Sequence, residues 1–309
     1  MHRSCQLLFM FLLSGSVWTG GKWSFRGENG PESWGKSYPK CAGARQSPIL
    51  IETKNVIYDS SLTGFTLTNF DNRDSSLNWT LINDGHVASV KVVSGAMTIT
   101  GGGLDGPYRV FMFHFHWGAN SSRGSEHRVD DKSFPMEMHI VSYKVAYNNW
   151  TTALNYGDGV AVLAAFFEIA GTEHATLAKV VARLPEVREE SSDVPIDVFN
   201  LLDLMPAERS KYYRYLGSLT TPECFEAVIW TVFQQTIKIS EAQVSAFRTL
   251  TEGKLVNETF PLIDNFRPVQ PLGGRQVRAT PVSTCSFCGL ALSAELVLLS
   301  HLLFAFLLE

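Results

Sequence analysis

Between Phe111 and Trp117 the chain reads Phe-Met-Phe-His-Phe-His-Trp, so two histidines, His114 and His116, stand two positions apart among aromatic residues. In an extended strand, successive side chains point to opposite faces. His114 and His116 then share one face, while Phe113, Phe115 and Trp117 enter the apolar other side. On a helix the same spacing would send the two imidazoles apart, and they could not hold one ion. A second alternating stretch, Glu137-Met138-His139-Ile140-Val141, offers a third imidazole with a carboxylate and a valine on its own face. Three neutral imidazoles around Zn²⁺ leave a fourth tetrahedral position for water, which is the pattern of a catalytic centre rather than a structural one. Spacing alone does not bring His139 to the other two, and a lone strand histidine is more often hydrogen-bonded filler than a ligand.

The elements that must position these side chains read mainly as strands. Alternating segments cover Phe65 to Leu67, Val87 to Val93, Met97 to Thr100, Val110 to Trp117, Glu137 to Val145, Val160 to Ile169 and Ala227 to Phe233,. Gly101-Gly102-Gly103, Asp84-Gly85 and Gly157-Asp158-Gly159 supply turns,. Helical signals are few. Thr176 to Leu184 is apolar on one face with Pro185 as its stop, and Ser240-Glu241-Ala242-Gln243 opens as a capping box for a helix reaching about Leu250,. The expected class is mostly β with peripheral helices (α+β), a single domain around a large, twisted, mainly antiparallel sheet. The 309 residues, 45% hydrophobic, suffice for one large core, and no linker or repeat interrupts residues 22–282,. A net charge of −4 without a basic run gives no reason to expect nucleic acid,.

The two ends read differently from the middle. A basic start, an apolar run from Leu7 to Leu13 and small residues after it make residues 1–21 a secretory signal peptide, with an approximate end,. A second apolar run, Leu296 to Leu308, follows the small residues Ser283, Thr284, Cys285 and Ser286. Residues 283–309 therefore read as a removed attachment signal for a glycosylphosphatidylinositol anchor, with Ser283 and Ser286 as candidate attachment points. A transmembrane C-terminus or plain secretion is the alternative; Glu295 shortens the run and only Glu309 follows it, which disfavours a span,. The outer leaflet of the plasma membrane is the expected location. Sequons at Asn78, Asn120, Asn149 and Asn257 agree with that route,. Cys5 would leave with the signal, and Cys285 and Cys288 fall in the anchor region. Cys41 and Cys224 remain, and two isolated cysteines in an oxidising compartment most simply form one disulfide,.

Several segments together resemble the α-carbonic anhydrases, in that family's order and spacing. They are Gln46-Ser47-Pro48-Ile49, Asn83-Asp84-Gly85-His86, Phe113 to Gly118, Gly124-Ser125-Glu126-His127, Glu137-Met138-His139, Gly217 to Pro222 and Asn265-Phe266-Arg267-Pro268. The resemblance runs from about Trp23 to Val277, and the paired cysteines and tail look like the secreted and membrane-anchored branch, similar to types IV and XV. It implies the α-carbonic anhydrase fold, and reversible hydration of CO₂ to bicarbonate and a proton by zinc hydroxide. His114, His116 and His139 would ligate the zinc. Thr220 would accept a hydrogen bond from the hydroxide and donate its own proton to Glu126, with Thr221 beside bicarbonate. Val141, Val162, Leu219, Val228 and Trp230 would form the apolar CO₂ pocket, though each would otherwise pass as ordinary core. His86 would shuttle the proton to solvent, since histidine titrates near neutral pH. Glu137 would support His139, Asn265 would lie near the group that steadies His116 through its backbone, and His127 would be structural. Bicarbonate or proton transporters are the class of partner such an enzyme would work beside.

Some positions depart from the family pattern. Met112 stands where Gln usually accepts a hydrogen bond from the first zinc histidine, and a thioether is a weak acceptor,. Phe25 replaces a usual Tyr, and Asp84 and Ser89 replace usual Asn residues along the proton route. Glu223 stands where some relatives have a second proline. The competing readings are a silent binding module of the same fold and a zinc esterase. Retention of all three histidines with Glu126, Thr220 and His86 argues against the first, and a narrow apolar pocket against the second.

Overall fold

Period-two alternation makes each histidine-bearing segment a strand, and the strands lie at the middle of a wide sheet. The computed structural model describes residues 23–74, 77–252 and 259–281. Seven strands carry the site: β1 (Trp79–Asn83), β2 (Ala88–Val92), β3 (Tyr108–Trp117), β4 (Met136–Lys144), β5 (Val160–Ile169), β6 (Tyr212–Gly217) and β7 (Val228–Phe233). They lie side by side in the order β1-β2-β3-β4-β5-β7-β6, within a sheet that has 13 strands among the described residues. Neighbours in this series are antiparallel except β5 and β7, which run parallel. The expected extents of β2 to β5 and β7 hold to within two residues. β1 and β6 were not among the expected strands.

Alternation sorts the core into two layers. Phe113, Phe115 and Trp117 of β3 join Met138 and Ile140 of β4 and Leu163 and Phe167 of β5 on one face. Helices α1 (Ala175–Val181) and α2 (Glu241–Phe247) cover part of that face through Leu177, Val180, Val244 and Phe247. Val141, Val162, Phe166, Tyr215 and Trp230 pack on the other face, where the histidines lie. Each such side chain stabilises the fold by about 1.5–3 kcal/mol when taken from water.

Helix α2 starts with the expected capping box: Ser240 Oγ accepts from Gln243 N and Gln243 Oε1 accepts from Ser240 N, each at 3.2 Å. It stops at Phe247, short of the expected Leu250. Helix α1 likewise stops at Val181, and Pro185 does not end it but opens a separate 3-10 turn, Leu184–Val187. Proline suits that first turn because its missing N–H would have no partner there anyway. The Cys41–Cys224 disulfide forms, spanning 183 positions. Among the described residues, no helix is long and apolar enough to cross a membrane. The signal segment, the C-terminal run with Ser283 and Ser286, and Asn257 lie outside the described residues.

Candidate metal centre and its surroundings

Strand register answers what spacing left open. Directly opposite residues of an antiparallel pair share a face, and β3 pairs with β4 so that His114 faces His139, His116 faces Glu137 and Met112 faces Val141,. A bulge between Val110 and Met112 inserts Phe111 as an extra residue. It lets Val110 stay with Phe113 on the core face while Met112 joins the histidines, although simple alternation would put Val110 and Met112 on one side,.

Hydrogen bonds fix two of the three tautomers. His116 Nδ1 donates to the Asn265 carbonyl at 2.7 Å, leaving Nε2 as a lone-pair donor. His139 Nε2 donates to Glu137 Oε1 at 2.7 Å, leaving Nδ1. His114 Nε2 lies 3.3 Å from His139 Nδ1. A tetrahedral zinc with nitrogen ligands at ~2.05 Å requires ligand atoms ~3.3 Å apart, so that separation fits one edge of such a site. The ligand atoms of His114, His116 and His139 all lie within 4.8 Å of one another. Burial, then the neighbouring His116 and His139, hold His114 well below the usual imidazole pKa, and burial lowers His139 too. Three imidazole rings with converging ring nitrogens, His116 and His139 buried and His114 half-buried, form a donor set that fits zinc. The fit has one weak point: His114 Nδ1 is buried with no hydrogen-bond partner.

Glu126 is buried beside this group, with Oε2 3.5 Å from His116 Nε2 and Oε1 accepting from Arg267 N at 2.9 Å. Oε2 has no hydrogen-bond partner. The bond expected from Thr220 to Glu126 is thus not made in this arrangement, although Thr220 is itself buried. The apolar residues lie where register predicts them. Val141, Val162 and Trp230 form one row across β4, β5 and β7, on the histidine face. The Trp230 ring centroid is 4.8 Å from that of His139. Val228 is buried in the same layer, Leu219 packs against it half-buried, and Thr221 is half-buried.

Comparison with known proteins agrees with this geometry. The family model of eukaryotic-type carbonic anhydrases matches residues 29–281. Carbonic anhydrase 7 of Homo sapiens is 39% identical, over 84% of this chain and 97% of its own length. Carbonic anhydrase 15 of Mus musculus is 37% identical over 87% of this chain and 86% of its own, and carbonic anhydrase 12 of Homo sapiens is 35% identical over 96% and 86%. The chain belongs to the carbonic anhydrase family. It is an enzyme of that zinc-dependent class, and its fold is the family's.

Other parts of the carbonic anhydrase show what sequence reasoning did not reach. Glu137 is shared: its Oε1 also accepts from His127 Nδ1 at 2.7 Å, and its Oε2 accepts from the His127 amide at 2.8 Å. His127 Nε2 lies 2.6 Å from the Tyr215 hydroxyl, which lies 2.9 Å from Ser47 Oγ. Burial alone would raise the Glu137 pKa, but His127 and His139 overcome it and hold the carboxyl well below its usual range. His127, Glu137 and His139 are close enough to suggest a second metal group. Their facing atoms are instead spent on hydrogen bonds. Asn265, expected only near the group that steadies His116, is that group, and it does more: Oδ1 accepts from Trp117 N at 2.8 Å and Nδ2 donates to the His86 carbonyl at 2.9 Å. No spacing rule joins positions so far apart in the chain.

His86 is half-exposed in its turn and stacks on Trp23, centroids 3.7 Å apart, with Nε2 3.1 Å from the Trp23 carbonyl. Asp84 Oδ1 closes the turn, accepting from the amides of His86 and Val87 at 2.9 and 2.8 Å. Phe25 lies 6.5 Å from the His86 ring, edge-on, and Ser89 is buried opposite His114. His174 caps α1, its Nδ1 accepting from Leu177 N at 3.3 Å. Asn78, Asn120 and Asn149 are exposed, and Asn149 Oδ1 caps the short helix Trp150–Ala153 by accepting from Thr152 N at 2.9 Å.

Proposed function

We propose that this enzyme hydrates CO₂ reversibly at the outer surface of the cell, with His114 Nε2, His116 Nε2 and His139 Nδ1 as its zinc ligands. The observation that carries the reading is the convergence of these three lone pairs, two of them held by acceptors on the far side of the ring. Zinc supplies acidity there: in carbonic anhydrases as a class it brings a water to a pKa of about 7, so a nucleophile exists at neutral pH. Thr220 would orient that nucleophile by accepting its hydrogen, its own hydroxyl turning to donate to Glu126 Oε2, a buried oxygen without a partner in the structure,. Val141, Val162, Leu219, Val228 and Trp230 receive the apolar substrate, and Thr221 contacts the bicarbonate formed. His86 would then take the released proton and pass it to solvent, its half-exposed ring stacked on Trp23,. A cleaved leader, a lipid anchor at Ser283 or Ser286 and sugars on the exposed sequons complete the extracellular reading.

Stopped-flow CO₂ hydration on the zinc-loaded protein, with His114→Ala beside it, tests the chemistry. Activity should be lost together with zinc in the variant, and full zinc occupancy there would overturn the ligand assignment. Phosphatidylinositol-specific phospholipase C should release the protein from expressing cells. Retention on the cell would favour a transmembrane C-terminus.

A further inference from the structure

A second concentration of charge gathers around Arg214 of strand β6. Tyr213 and Tyr215 pack in the layer beside the metal centre. Arg214, between them, points the other way, with Tyr212. There it lines a cavity of about 560 Å³ together with Arg45, Arg275 and Arg278.

Two of the four guanidinium groups are neutralised. Arg45 has Glu226 Oε2 at 3.6 Å, and Arg278 has Asp59 Oδ2 at 2.6 Å. Arg275 has no carboxylate partner among the described residues. Its donors go to the carbonyls of Leu272, Leu216, Gln46 and Pro271, which fix the group without neutralising it; the Tyr215 ring, 5.6 Å away, and the more distant Glu226 offset its charge only in part. Arg214 is buried on its strand. It is only 7% solvent-accessible, its Nη2 donates to Thr231 Oγ1 at 2.9 Å, and its Nε is buried without a partner. It too has no carboxylate partner among the described residues. A buried arginine stays charged, so leaving it without a counterion costs free energy that a bound anion would offset. Burial depresses the pKa of both Arg214 and Arg275, more than the distant carboxylates Asp59 and Glu226 restore it.

We propose that this cavity is a second ligand site that takes a phosphate dianion, free or as a monoester. Two positive charges without salt-bridge partners match two negative ones, and guanidinium groups pair well with phosphate oxygens. The volume falls in the range of small-molecule sites. Leu62, Leu216 and Ile229 give the cavity apolar wall for an organic group, which favours the ester over the free ion.

Calorimetric titration of phenyl phosphate and of inorganic phosphate into the zinc-loaded protein, at constant ionic strength, tests the assignment. Wild type, Arg214→Met and Leu216→Trp are compared, the last filling the cavity from its rim. Saturable 1:1 binding is expected, tighter for phenyl phosphate and weakened about tenfold or more in each variant. Affinity should also fall below about pH 6, where the monoester gains a proton. Unchanged CO₂ hydration in the variants reports an intact fold, and if Arg214→Met fails to fold, Leu216→Trp decides alone. Equal affinity for the two probes would assign the site to free phosphate and overturn the ester. Absence of saturable binding, or binding that neither variant weakens, would overturn the site, the second result placing the anion at the zinc or elsewhere.

Discussion

Replacing Met112 by Gln should make the enzyme hold zinc more tightly. Two of the three ligand rings have an acceptor at 2.7 Å behind them, and His114 has none behind its buried Nδ1. Leaving a buried donor unmade costs about 1–3 kcal/mol. Met112 precedes His114 by two positions on the same face, and Gln carries its amide oxygen as many bonds from Cα as Met carries its terminal methyl. The new oxygen can therefore take the Nδ1–H, while the half-buried site leaves the amide nitrogen free to meet water. At about 1.4 kcal/mol per factor of ten, the gain corresponds to roughly 5- to 150-fold, in line with the ~10–100-fold typical of groups that support metal ligands. The assay is zinc loss to an excess of chelator, followed for wild type, Met112→Gln and Met112→Leu. The Gln variant should release zinc about 10- to 100-fold more slowly, and the Leu variant, which offers no acceptor, should match wild type. Identical release from Gln and wild type would refute the argument, because His114 Nδ1 would then already have a partner in solution.

Other expectations follow from single contacts. His86→Ala should lower kcat by up to about a hundredfold while sparing kcat/KM, with added imidazole restoring part of the rate; an unchanged kcat would remove His86 from the proton path. Cys224→Ser should cost up to about 5 kcal/mol in a urea melt, since the disulfide closes a loop spanning 183 positions; a loss below about 1 kcal/mol would mean the loop is held without it,. Asp59 is held down to about pKa 2 by its bonds to Ser61 and then by Arg278. A depressed carboxyl stabilises fully above its unfolded value of 3.8 and loses that contribution as pH falls toward 2,. Asp59→Ala should therefore be less stable than wild type at pH 6 and converge with it in acid; a pH-independent gap would exclude the ionic origin.

The sequence was most legible where one period governs a whole segment. β5 is bounded as alternation bounds it, and the β3 histidines share a face for the reason their spacing suggests. It was least legible where the determining contact is distant in the chain. Glu137 meets His127 and His139 at once, and Asn265 joins His86, His116 and Trp117; no local pattern encodes either. The Phe111 bulge was hidden for a different reason. Aromatic and aliphatic residues stand on both sides of it, so hydrophobicity does not mark where the alternation slips. The resemblance named Thr220 and Glu126 as a bonded pair, but a hydroxyl rotamer answers to its immediate surroundings, which family membership does not specify.

The register that assembles the metal ligands is set by residues that never touch the metal. On the core face of β3 and β4, Phe113 faces Ile140, Phe115 faces Met138 and Trp117 faces Met136, all of them buried. A slip of one residue would turn one strand's whole set of these side chains toward the opposite face. Returning only that set to water would forfeit on the order of 5 kcal/mol, a large part of the ~5–15 kcal/mol that stabilises an ordinary domain. The same slip would carry His139 to the core side and leave His114 and His116 as an incomplete pair. Trp117 tightens the constraint, since its Nε1 donates to the Leu262 carbonyl at 2.8 Å and its amide to Asn265, whose own carbonyl holds His116. Alternation along the strand thus binds core and ligands to one condition. Any arrangement that buries the aromatic face in this register also presents His114, His116 and His139 together on the other.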